Sequence, residues 1–365
     1  MLIAALSGRA LAAAAHRSGF RPLVADFFGD LDTVALSAAV ERVSGSLARG
    51  LRRPALLATL DRLAAGRAPV GVVCGSGFED RPALLAAIGR RHRLLGNRPD
   101  TMQAVKRPEM LAALCARVEV SHPDIGDGAA PGTGWLEKRA GGSGGVHVRP
   151  LAAGDRPRRG RYAQRRAAGR AVSALVLADG AGCGRVLGFS EQWSAPTPGR
   201  PHRYGGAARP AVLPPAIAPA LAAAALRLAS AAGLVGLNAL DFMVRPDGFD
   251  LIEINPRPGA TLDVFAHPLL FAAHVAACDG TLPAKPPVFA AAAAAAIVYA
   301  PHPLAVPAGF AWPDWTADRE APGSRLPARA PLCTVLADAP DTAAARTLVG
   351  ARSTAILAAM EACHG

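Results

Sequence analysis

The sequence predicts a protein that combines an α/β region with an α+β region. Three observations indicate this: apolar runs alternate with helical segments in residues 1–98, β-prone runs and turn signals dominate residues 99–280, and residues 281–365 are Pro-rich with short strands and a last helix. Apolar strands that alternate with helices are typical of a parallel sheet. We therefore expect three domains with these bounds: a βαβ domain, a central domain of two α+β subdomains, and a small C-terminal extension.

The N-terminal region contains two strand–loop–helix cycles. The first has the run "LIAAL", a loop over Ser7–Arg9 and a helix over Ala10–Gly19; the second has "VGVVCG", a loop over Gly75–Glu79 and a helix over Arg81–Arg93. Ligands of parallel sheets bind beyond the carboxyl ends of the strands. The weak candidates for substrate contacts are therefore Ser7, Gly8, Ser76 and Glu79. Neither loop has a dinucleotide or Walker pattern, and plain tight turns remain an equal alternative.

A glycine-rich loop opens the central region. In "GWLEKRAGGSGGVHV" a strand precedes the loop Gly141–Gly145 and another strand follows it. Glycines free a backbone to approach an anion or to close over it. Lys138 lies three residues before the loop, and Lys106 lies in the helical stretch "DTMQAVKRPEMLAALC". A flexible hairpin tip is the alternative, but the lysine and the acids downstream favour a phosphate site.

Further along, the pattern predicts two antiparallel strands over residues 162–193 and an Ala-rich helix over residues 215–236. The last helix is predicted over Thr342–Ala362. The histidines show no metal-ligand spacing, and we interpret His147, His267 and His302 as structural or surface groups.

The stretch Ala239–Asp263 carries the most specific chemical pattern. Two β-prone runs flank Pro246-Asp247-Gly248, a strong turn signal. A three-residue loop with Gly248 in the left-handed conformation would place Asp241 opposite Glu253. A two-residue Asp-Gly loop would instead place Asp241 opposite Ile254. The register therefore decides whether the two carboxylates meet.

In the first register Glu253 and Asn255 share one face of their strand, and Asp241 joins them. Directly opposed like charges are destabilising, so a positive group is expected between them. Mg²⁺ prefers oxygen ligands of this kind together with phosphate and water. Arg257, two residues beyond Asn255, could bind a phosphate with its guanidinium fork. An edge hairpin with solvated acids is the alternative, and the ordered set Glu-x-Asn-x-Arg makes us favour the metal site.

The composition restricts the class of protein. The formal net charge is +12, which on its own suggests nucleic-acid binding. Yet the chain has three lysines, its arginines are spread along the sequence, and aromatic residues make up 5%. We expect anionic small ligands and no nucleic-acid partner, with a basic nucleic-acid-binding protein as the remote alternative. In such a chain the lysines are informative, as are the three asparagines Asn97, Asn238 and Asn255.

Cysteine usage and hydropathy indicate the compartment. The six cysteines are scattered and form no Cys-x-x-Cys pair, which argues against a disulfide framework or a zinc ribbon. The N-terminus lacks the basic start of a signal peptide, and no apolar stretch has the length and flanks of a membrane span. We expect a soluble cytoplasmic protein without a membrane partner, and a homodimer as the default assembly.

The ordered set of lysines, glycine loop, Gln164, acids and arginine resembles the ATP-grasp superfamily, over roughly residues 70 to 265. The resemblance implies an ATP-grasp fold preceded by a pre-ATP-grasp domain, with ATP held between two α+β subdomains. It implies nucleotide contacts from Lys106, Lys138, Gly141, Gly142, Ser143, Gly144, Gly145 and Gln164, and magnesium ligation by Asp241, Glu253 and Asn255, with Mn²⁺ as the alternative ion. Arg257 and Lys138 would be the catalytic residues. Many members carry Gln-Glu at the adenine hinge, whereas Arg165 follows Gln164 here.

The resemblance also implies a reaction. ATP-grasp enzymes join a carboxylate to an amine through an acyl phosphate, which demands positioning and charge neutralisation. The pattern "GLNALDFMV…LIEINPRPGAT" is similar to carboligases near tyramine–glutamate ligase of the methanofuran and methanopterin pathways. This implies glutamate as a substrate in the biosynthesis of a one-carbon carrier cofactor. A non-catalytic nucleotide-binding or assembly protein of the same fold is the alternative, and Arg165 is the feature that favours it.

Overall fold

A computed structural model gives the architecture of residues 1–47 and 49–363. The helices are α1 (Arg9–Arg17), α2 (Leu31–Leu36), α3 (Arg53–Ala64), α4 (Pro82–Gly89), α5 (Pro99–Lys106), α6 (Pro108–Arg117), α7 (Ile217–Ala231), α8 (Leu270–Cys278) and α9 (Thr342–Ala362), with a 3₁₀ turn at Ala260–Asp263. The strands are β1 (Leu2–Ala4), β2 (Leu23–Asp26), β3 (Ala39–Arg42), β4 (Gly45–Ser46), β5 (Gly50–Leu51), β6 (Val72–Cys74), β7 (Ile125–Gly126), β8 (Trp135–Arg139), β9 (Arg149–Leu151), β10 (Arg161–Arg165), β11 (Arg170–Asp179), β12 (Gly184–Ser194), β13 (Tyr204–Arg209), β14 (Val235–Arg245), β15 (Gly248–Asn255), β16 (Ala292–Tyr299), β17 (Leu304–Ala305), β18 (Thr316–Ala317), β19 (Arg325–Leu326) and β20 (Pro331–Ala339).

The N-terminal region contains the expected parallel sheet. Its strand order is β3-β2-β1-β6, and all three pairings are parallel. Every residue of β1 and β2 is buried, because helices cover both faces of the sheet. Its carboxyl ends carry the loops that begin at Ser7 and at Gly75, where the sequence predicted ligand contacts.

A four-stranded antiparallel sheet follows, with the order β7-β10-β8-β9. The expectation of two antiparallel strands over residues 162–193 is wrong here, because three strands cover this segment. The first of them, β10, pairs with β8 in the small sheet, and β11 and β12 belong to the large one. Gly169, with a φ of +115°, lies in the link between the two sheets. The sequence pattern of this segment therefore did not reveal that the chain passes from the small sheet to the large one.

The largest sheet has eight antiparallel strands in the order β15-β14-β11-β12-β13-β16-β20-β18. Its last three strands come from beyond residue 280, so the sheet continues across the expected second boundary. The Ala-rich run of β16 forms a buried strand between β13 and β20, and α9 packs on this part of the sheet. Alanine has a low strand propensity, and its small side chain fits a strand covered on both faces.

A proline divides the predicted helix over residues 100–115 into two. Helix α5 ends at Lys106, and α6 begins at Pro108. Arg107 between them is extended at ψ 122°, because a residue before proline is sterically driven out of the helical region. Lys106 is therefore the last residue of a helix, where the helix dipole favours a cation.

Two apolar cores cover the faces of the large sheet. One face packs against α6 and α7 through residues such as Val176, Leu228 and Phe242. The other packs against α1, α8 and the N-terminal sheet through residues such as Leu175, Leu237 and Phe271. Within the described residues, no helix is both long enough and apolar enough to cross a bilayer.

Candidate active site

The β14–β15 hairpin has the predicted pairing of Asp241 with Glu253, but it reaches this pairing by a different route. The loop contains Pro246 and Asp247 only, because Arg245 pairs with Gly248. The three-residue loop is therefore wrong, and Gly248 does not have a positive φ. A register shift next to Asp241 leaves Ile252 without a cross-strand partner. This β-bulge restores the opposed acids.

The bulge has a packing cause. Leu251 and Ile254 are both fully buried and both belong to the core under α6 and α7. Residues three apart in a regular strand point to opposite faces, so one of them would face the cleft. One extra residue, Ile252, lets both enter the same core. It also leaves Glu253 and Asn255 together on the opposite face, beside Asp241.

The three candidate magnesium ligands lie together on the β14–β15 hairpin, where Asp241 pairs with Glu253 and contacts Asn255. The amide nitrogen of Asn255 donates to Asp241 Oδ2 at 2.9 Å. This fixes the orientation of the amide, whose Oδ1 then points to the same ammonium group as the carboxylate of Glu253. Asp241 Oδ1 accepts from Gln192 Nε2 at 3.2 Å. Asp241 therefore orients Asn255, so that oxygens of Glu253 and Asn255 face the same ammonium group.

Lys106 supplies the positive charge that the opposed acids need. Its ammonium group, 8% exposed at the end of α5, donates to Glu253 Oε1 and to Asn255 Oδ1, the latter at 2.9 Å. The oxygens predicted to bind magnesium thus accept hydrogen bonds from a lysine. Burial alone would raise the pKa of Glu253, but Lys106 and Lys138 hold it below its usual value.

Lys138 and Gln164 face this group from the small sheet. They lie on the paired strands β8 and β10, and Lys138 Nζ donates to Gln164 Oε1 at 2.8 Å. Both side chains are buried. Burial lowers the pKa of Lys138, whereas the nearby carboxylates of Glu253 and Asp241 raise it, and the net direction is down. Gln164 is directed toward the lysine, and the following Arg165 is exposed.

The glycine loop Gly141–Gly145 lies between the two sheets. Gly141, Gly144 and Gly145 have positive φ values of 67°, 68° and 71°. A Cβ on Gly145 would lie 1.7 Å from the carbonyl oxygen of His202, so the loop approaches the segment before β13 more closely than any side chain allows. The backbone nitrogen of Tyr204 also donates to Gly144 O at 3.0 Å. The loop is thereby closed onto the large sheet, and Ser143 lies at its centre.

The side chain of Arg257 is 10% exposed and is held by the N-terminal domain. Its Nε donates to Glu79 Oε1 at 2.6 Å, and Glu79 is 3% exposed. The other carboxylate oxygen of Glu79 accepts from the backbone nitrogens of Gly77 and Phe78. Glu79, a weak candidate for a substrate contact, is thus engaged by Arg257. Burial alone would raise its pKa, but Arg257 and Lys106 hold it below its usual value.

The other candidate substrate residues lie along the same domain border. Gly8 N donates to the buried Asp26 at 2.9 Å, and Ser76 O accepts from the backbone of Leu6. Next to Ser7 and Gly8, Arg9 makes ion pairs with Asp263 and Asp318. The loop at Ser7–Gly8 therefore borders the segment that follows Arg257. Among the described residues, no hydrogen bond joins it or the loop at Ser76–Glu79 to Glu253 or Lys106.

The opposed carboxylates affect each other. Burial, and then the charge of Glu253, raise the pKa of Asp241 from 3.8 to about 6, against the lowering effect of Lys106. Two carboxylates and an amide oxygen match the hard donor set of magnesium. Within the described residues no group of three or more His, Cys, Asp and Glu side chains forms a metal site, so this site depends on the Asn255 amide and on further oxygens from a ligand.

Sequence reasoning missed several residues around this group. Gln192 reaches Asp241 from β12, and nothing in its sequence neighbourhood signals this contact. Asn97 and Asn238 form a buried pair at 2.7 Å, and Asn97 also donates to Pro256 O at 2.9 Å, directly before Arg257. Their rarity in the sequence was the available signal. His147, interpreted as structural or surface, lines the cleft between the two sheets.

The cleft between the sheets is nearly filled. It encloses about 20 Å³, and its lining includes Lys106, Lys138, Gly142, His147 and Glu253. This volume accommodates about one water molecule. A ligand of nucleotide size therefore needs the glycine loop to move away from the large sheet.

Residues 113–261 match the family model of the ATP-grasp domain. Biotin carboxylase from Campylobacter jejuni, in its complex with β-γ-ATP, is similar in structure, with a TM-score of 0.74 at 15% sequence identity over 95% of this chain and 89% of that chain. The chain has the ATP-grasp fold. The predicted fold class is therefore confirmed.

Two further solved structures are similar in fold to this chain. The biotin carboxylase domain of Hydrogenobacter thermophilus 2-oxoglutarate carboxylase, a dimer with MgADP, ADP and bicarbonate, gives a TM-score of 0.71 at 12% identity over 93% of this chain and 86% of that chain. Rhizobium etli pyruvate carboxylase gives 0.72 at 18% identity over 96% of this chain, which spans 36% of that chain. No curated protein matches the chain in sequence. The family match and the fold agree with the prediction of an ATP-grasp ligase that uses ATP and Mg²⁺.

Proposed function

We propose that this chain is an ATP-dependent carboxylate–amine ligase that forms an amide through an acyl phosphate. One observation carries the proposal: Lys106, Lys138 and Glu253 line a single cleft between the two sheets, and Asn255 contacts Lys106 beside them. Two ammonium groups suit the phosphates of a nucleotide, and the two oxygen ligands suit its metal ion. The side chains come from α5, β8 and β15, so the convergence is a property of the fold.

Lys106 and Lys138 would bind the phosphates. Both are buried, so their charges act in a medium where electrostatic interactions are stronger than in water. Nucleotide binding must move the ammonium of Lys106 from Glu253 and Asn255 to phosphate oxygens. The glycine loop would open to admit the nucleotide and then close over it, which excludes the water that hydrolyses acyl phosphates.

Glu253 and Asn255 would hold Mg²⁺, and Asp241 would orient the Asn255 amide. When bound, the ion supplies positive charge that neutralises the phosphate oxygens during transfer. The amide of Asn255 contributes its oxygen only because its nitrogen is held by Asp241. Mn²⁺, which accepts the same oxygen ligands, is the alternative ion.

The chemistry has two steps. A substrate carboxylate oxygen attacks the γ-phosphorus of ATP and ADP leaves; an amine nitrogen then attacks the acyl carbon, phosphate leaves, and the nitrogen loses a proton. Arg257 lies near enough to Asp241 for its charge to lower the pKa of that carboxyl, and its guanidinium would bind the carboxylate or the acyl phosphate. Glu79 holds that guanidinium in place through Nε.

The proposal extends to the substrates. The resemblance of the "LIEINPRPGAT" segment to carboligases near tyramine–glutamate ligase supports glutamate as the carboxylate and a one-carbon carrier cofactor as the end product. Bicarbonate is a second carboxylate to test, since it is bound in the Hydrogenobacter thermophilus domain. The dimer in that structure likewise supports the expected homodimer.

A second candidate is a nucleotide-binding protein without ligase activity. Two observations favour it: the cleft is closed around Lys106, and Arg165 stands where many ATP-grasp members have a hinge glutamate. Such a protein would bind ATP and transfer no phosphoryl group.

ADP release from Mg-ATP tests the two candidates. The full chain is assayed against carboxylates, including glutamate and bicarbonate, crossed with amine acceptors. We expect release that requires both partners, with an amide as product. Added hydroxylamine should replace the amine and give a hydroxamate, which reports the acyl phosphate. ATP binding without ADP release for any pair would favour the second candidate.

A further inference from the structure

His147 is a buried histidine inside the cleft, and the proposed reaction does not yet use it. It follows the glycine loop, is 9% exposed, and lines the same cleft as Lys106, Lys138 and Glu253. Its imidazole therefore lies close to the position proposed for the nucleotide phosphates.

The hydrogen bonding of the ring fixes its tautomer. The backbone nitrogen of Arg139 donates to Nδ1 of His147 at 3.2 Å, so Nδ1 is an acceptor and carries no proton. In a neutral imidazole the proton then resides on Nε2, which becomes a donor. Among the described residues no atom accepts a hydrogen bond from Nε2. The Nε2 donor is therefore left without a partner on a ring that lines the cleft.

The surroundings keep the ring neutral. Burial, together with the positive charges of Lys138, Arg139 and Lys106, lowers the pKa of His147 to about 4, against the raising effect of Glu253. Because the ring is neutral, it can donate to a phosphate that two lysines already bind, and it adds no third buried positive charge. Its hydrogen bond would not change between pH 6 and pH 8.

The loop is built around the ring. A Cβ on Gly142 would lie 2.4 to 2.6 Å from ring atoms of His147, which is closer than real side-chain contacts. Only glycine at position 142 lets the loop backbone lie against the imidazole. Movement of the loop would therefore move the donor with it.

We propose that His147 is a nucleotide-binding residue whose Nε2–H donates to a β- or γ-phosphate oxygen of the bound nucleotide. The inference rests on the proposed function, because it takes the cleft to be the nucleotide site. It adds a neutral donor, carried by the glycine loop, to the two lysines.

Two substitutions separate the donor from the packing of the loop. His147→Asn keeps an oxygen that can accept from Arg139 N, but its side chain is too short to place a donor at Nε2. His147→Gln can place its amide nitrogen near the position of Nε2. His302→Asn, at an exposed histidine of the C-terminal region, is the control. The affinities for ADP and for a non-hydrolysable ATP analogue are measured by calorimetry with Mg²⁺ present.

We expect His147→Asn to weaken both affinities by roughly 10- to 100-fold, the range for a lost hydrogen bond to a charged group. His147→Gln should lie within about threefold of wild type, and His302→Asn should be unchanged. Wild-type affinity in His147→Asn would overturn the proposal. If the wild-type chain binds neither nucleotide, the proposed function falls and the role of His147 falls with it.

Trypsin cleavage after Arg139, directly before the loop segment, detects a merely structural role. The proposal requires His147→Asn to be cleaved there at the wild-type rate without nucleotide. Faster cleavage together with lost affinity would assign His147 to loop packing and overturn the proposal. In histidine-labelled wild-type protein, ADP should shift the ¹⁵N resonance of Nε2 of His147, and an unchanged resonance would contradict the contact.

Discussion

At the residue scale, Glu79 shows how an ion pair can set the direction of a side chain in the proposed site. Its carboxylate is fixed by two backbone nitrogens on one oxygen and accepts from Arg257 on the other. Both side chains are at least nine-tenths buried, so the pair forms away from water. Arg257 is thereby aimed by the N-terminal domain, although its own segment belongs to the large-sheet domain.

Glu79→Gln tests this role. Glutamine keeps the shape of the side chain and removes its charge, so Arg257 loses its strongest partner and can turn away. We expect kcat to fall by about 10- to 100-fold, with the KM for ATP within about threefold of wild type. Steady-state kinetics of ADP release measure both. The control is Glu41→Gln, which removes an exposed partner of Arg62 and should change neither. A rise in the KM for ATP with kcat unchanged would contradict the positioning role.

The sequence predicted the site residues that lie in an ordered motif. Glu253, Asn255 and Arg257 are two residues apart, and the strand period places the first two on one face. The partners that orient them come from distant segments: Glu79 is 178 residues from Arg257, and Gln192 is 49 from Asp241. No local pattern encodes such contacts. The tautomer of His147 likewise depends on a backbone group that a sequence does not locate.

At the element scale, the glycine loop offers a matched pair of positions. Gly144 and Gly145 both have φ near +70°, so alanine is strained at either one. Only at Gly145 does the new Cβ meet the backbone, at 1.7 Å from His202 O, while Gly144 faces open space. The pair therefore separates conformational strain from steric contact.

Gly145→Ala should prevent the loop from closing, and Gly144→Ala should impose only the cost of a left-handed alanine, about 1–2 kcal/mol. We expect Gly145→Ala to lower kcat/KM for ATP by more than tenfold relative to Gly144→Ala. The comparison is made by ADP release under identical conditions. Equal losses in the two variants would show that closure onto the segment before β13 is not needed.

Helix α2 gives a pH-dependent prediction. Its N-cap Asp30 is 4% exposed and accepts from Thr33 N at 2.8 Å. Burial raises the pKa of Asp30 from 3.8 to about 6, despite that bond. Between these values the folded state binds more protons than the unfolded state, so the contribution of Asp30 to stability falls as the pH rises from about 4 to 6.

Asp30→Asn keeps an N-cap acceptor and removes the titration. The stability of the variant relative to wild type should therefore increase between pH 4 and pH 7.5, by at most about 3 kcal/mol. Thermal unfolding at several pH values measures the difference. Asp247→Asn, at an exposed turn aspartate, is the control and should show little pH dependence. A difference for Asp30→Asn that is flat over this range would contradict the raised pKa.

Elements were predictable where a local pattern spans them. Helix α9 has the predicted bounds, and β1, α1 and β6 occur where the sequence pattern indicated. The hairpin loop was not predicted, because a turn signal of three residues fits several registers. Leu251 and Ile254 are both apolar and lie three residues apart. An odd spacing places two residues on opposite faces of a regular strand, so this spacing indicated a bulge.

At the scale of the whole molecule, one buried arginine joins three parts of the chain. Arg9, at the start of α1, is 4% exposed and makes ion pairs with Asp263 after the hairpin and Asp318 in the C-terminal region. Burial alone would lower the pKa of Arg9, but the two carboxylates raise it well above its usual value. Loss of one member leaves charges buried without compensation.

Arg9→Met should destabilise the protein by about 3–5 kcal/mol, because Asp263 and Asp318 then lack their cation. Urea unfolding followed by circular dichroism measures the change. The matched control is Arg62→Met, which removes an exposed pair with Glu41 and should cost no more than about 1 kcal/mol. Similar losses of unfolding free energy in the two variants would mean that the ion pairs of Arg9 with Asp263 and Asp318 do not link the three regions.

The domain plan was only partly visible in the sequence. The parallel N-terminal sheet follows from local alternation, whereas the addition of β16 and β20 to the large sheet depends on pairing between β13 and β16, which are more than 80 residues apart. Long-range strand pairing leaves little local signal, and an alanine run gives even less because it fits helix and strand alike. Residues beyond 280 were therefore expected to form a separate extension.

The central claim is that the cleft between the two sheets binds Mg-ATP through Glu253 and its neighbours. Calorimetric titration of the full chain with a non-hydrolysable ATP analogue, with and without Mg²⁺, tests it most directly, using wild type and Glu253→Gln. We predict one binding site whose affinity requires Mg²⁺ in wild type and is weakened at least about tenfold by the substitution. No binding by the wild-type chain, or equal affinity in both proteins with and without Mg²⁺, would contradict the account.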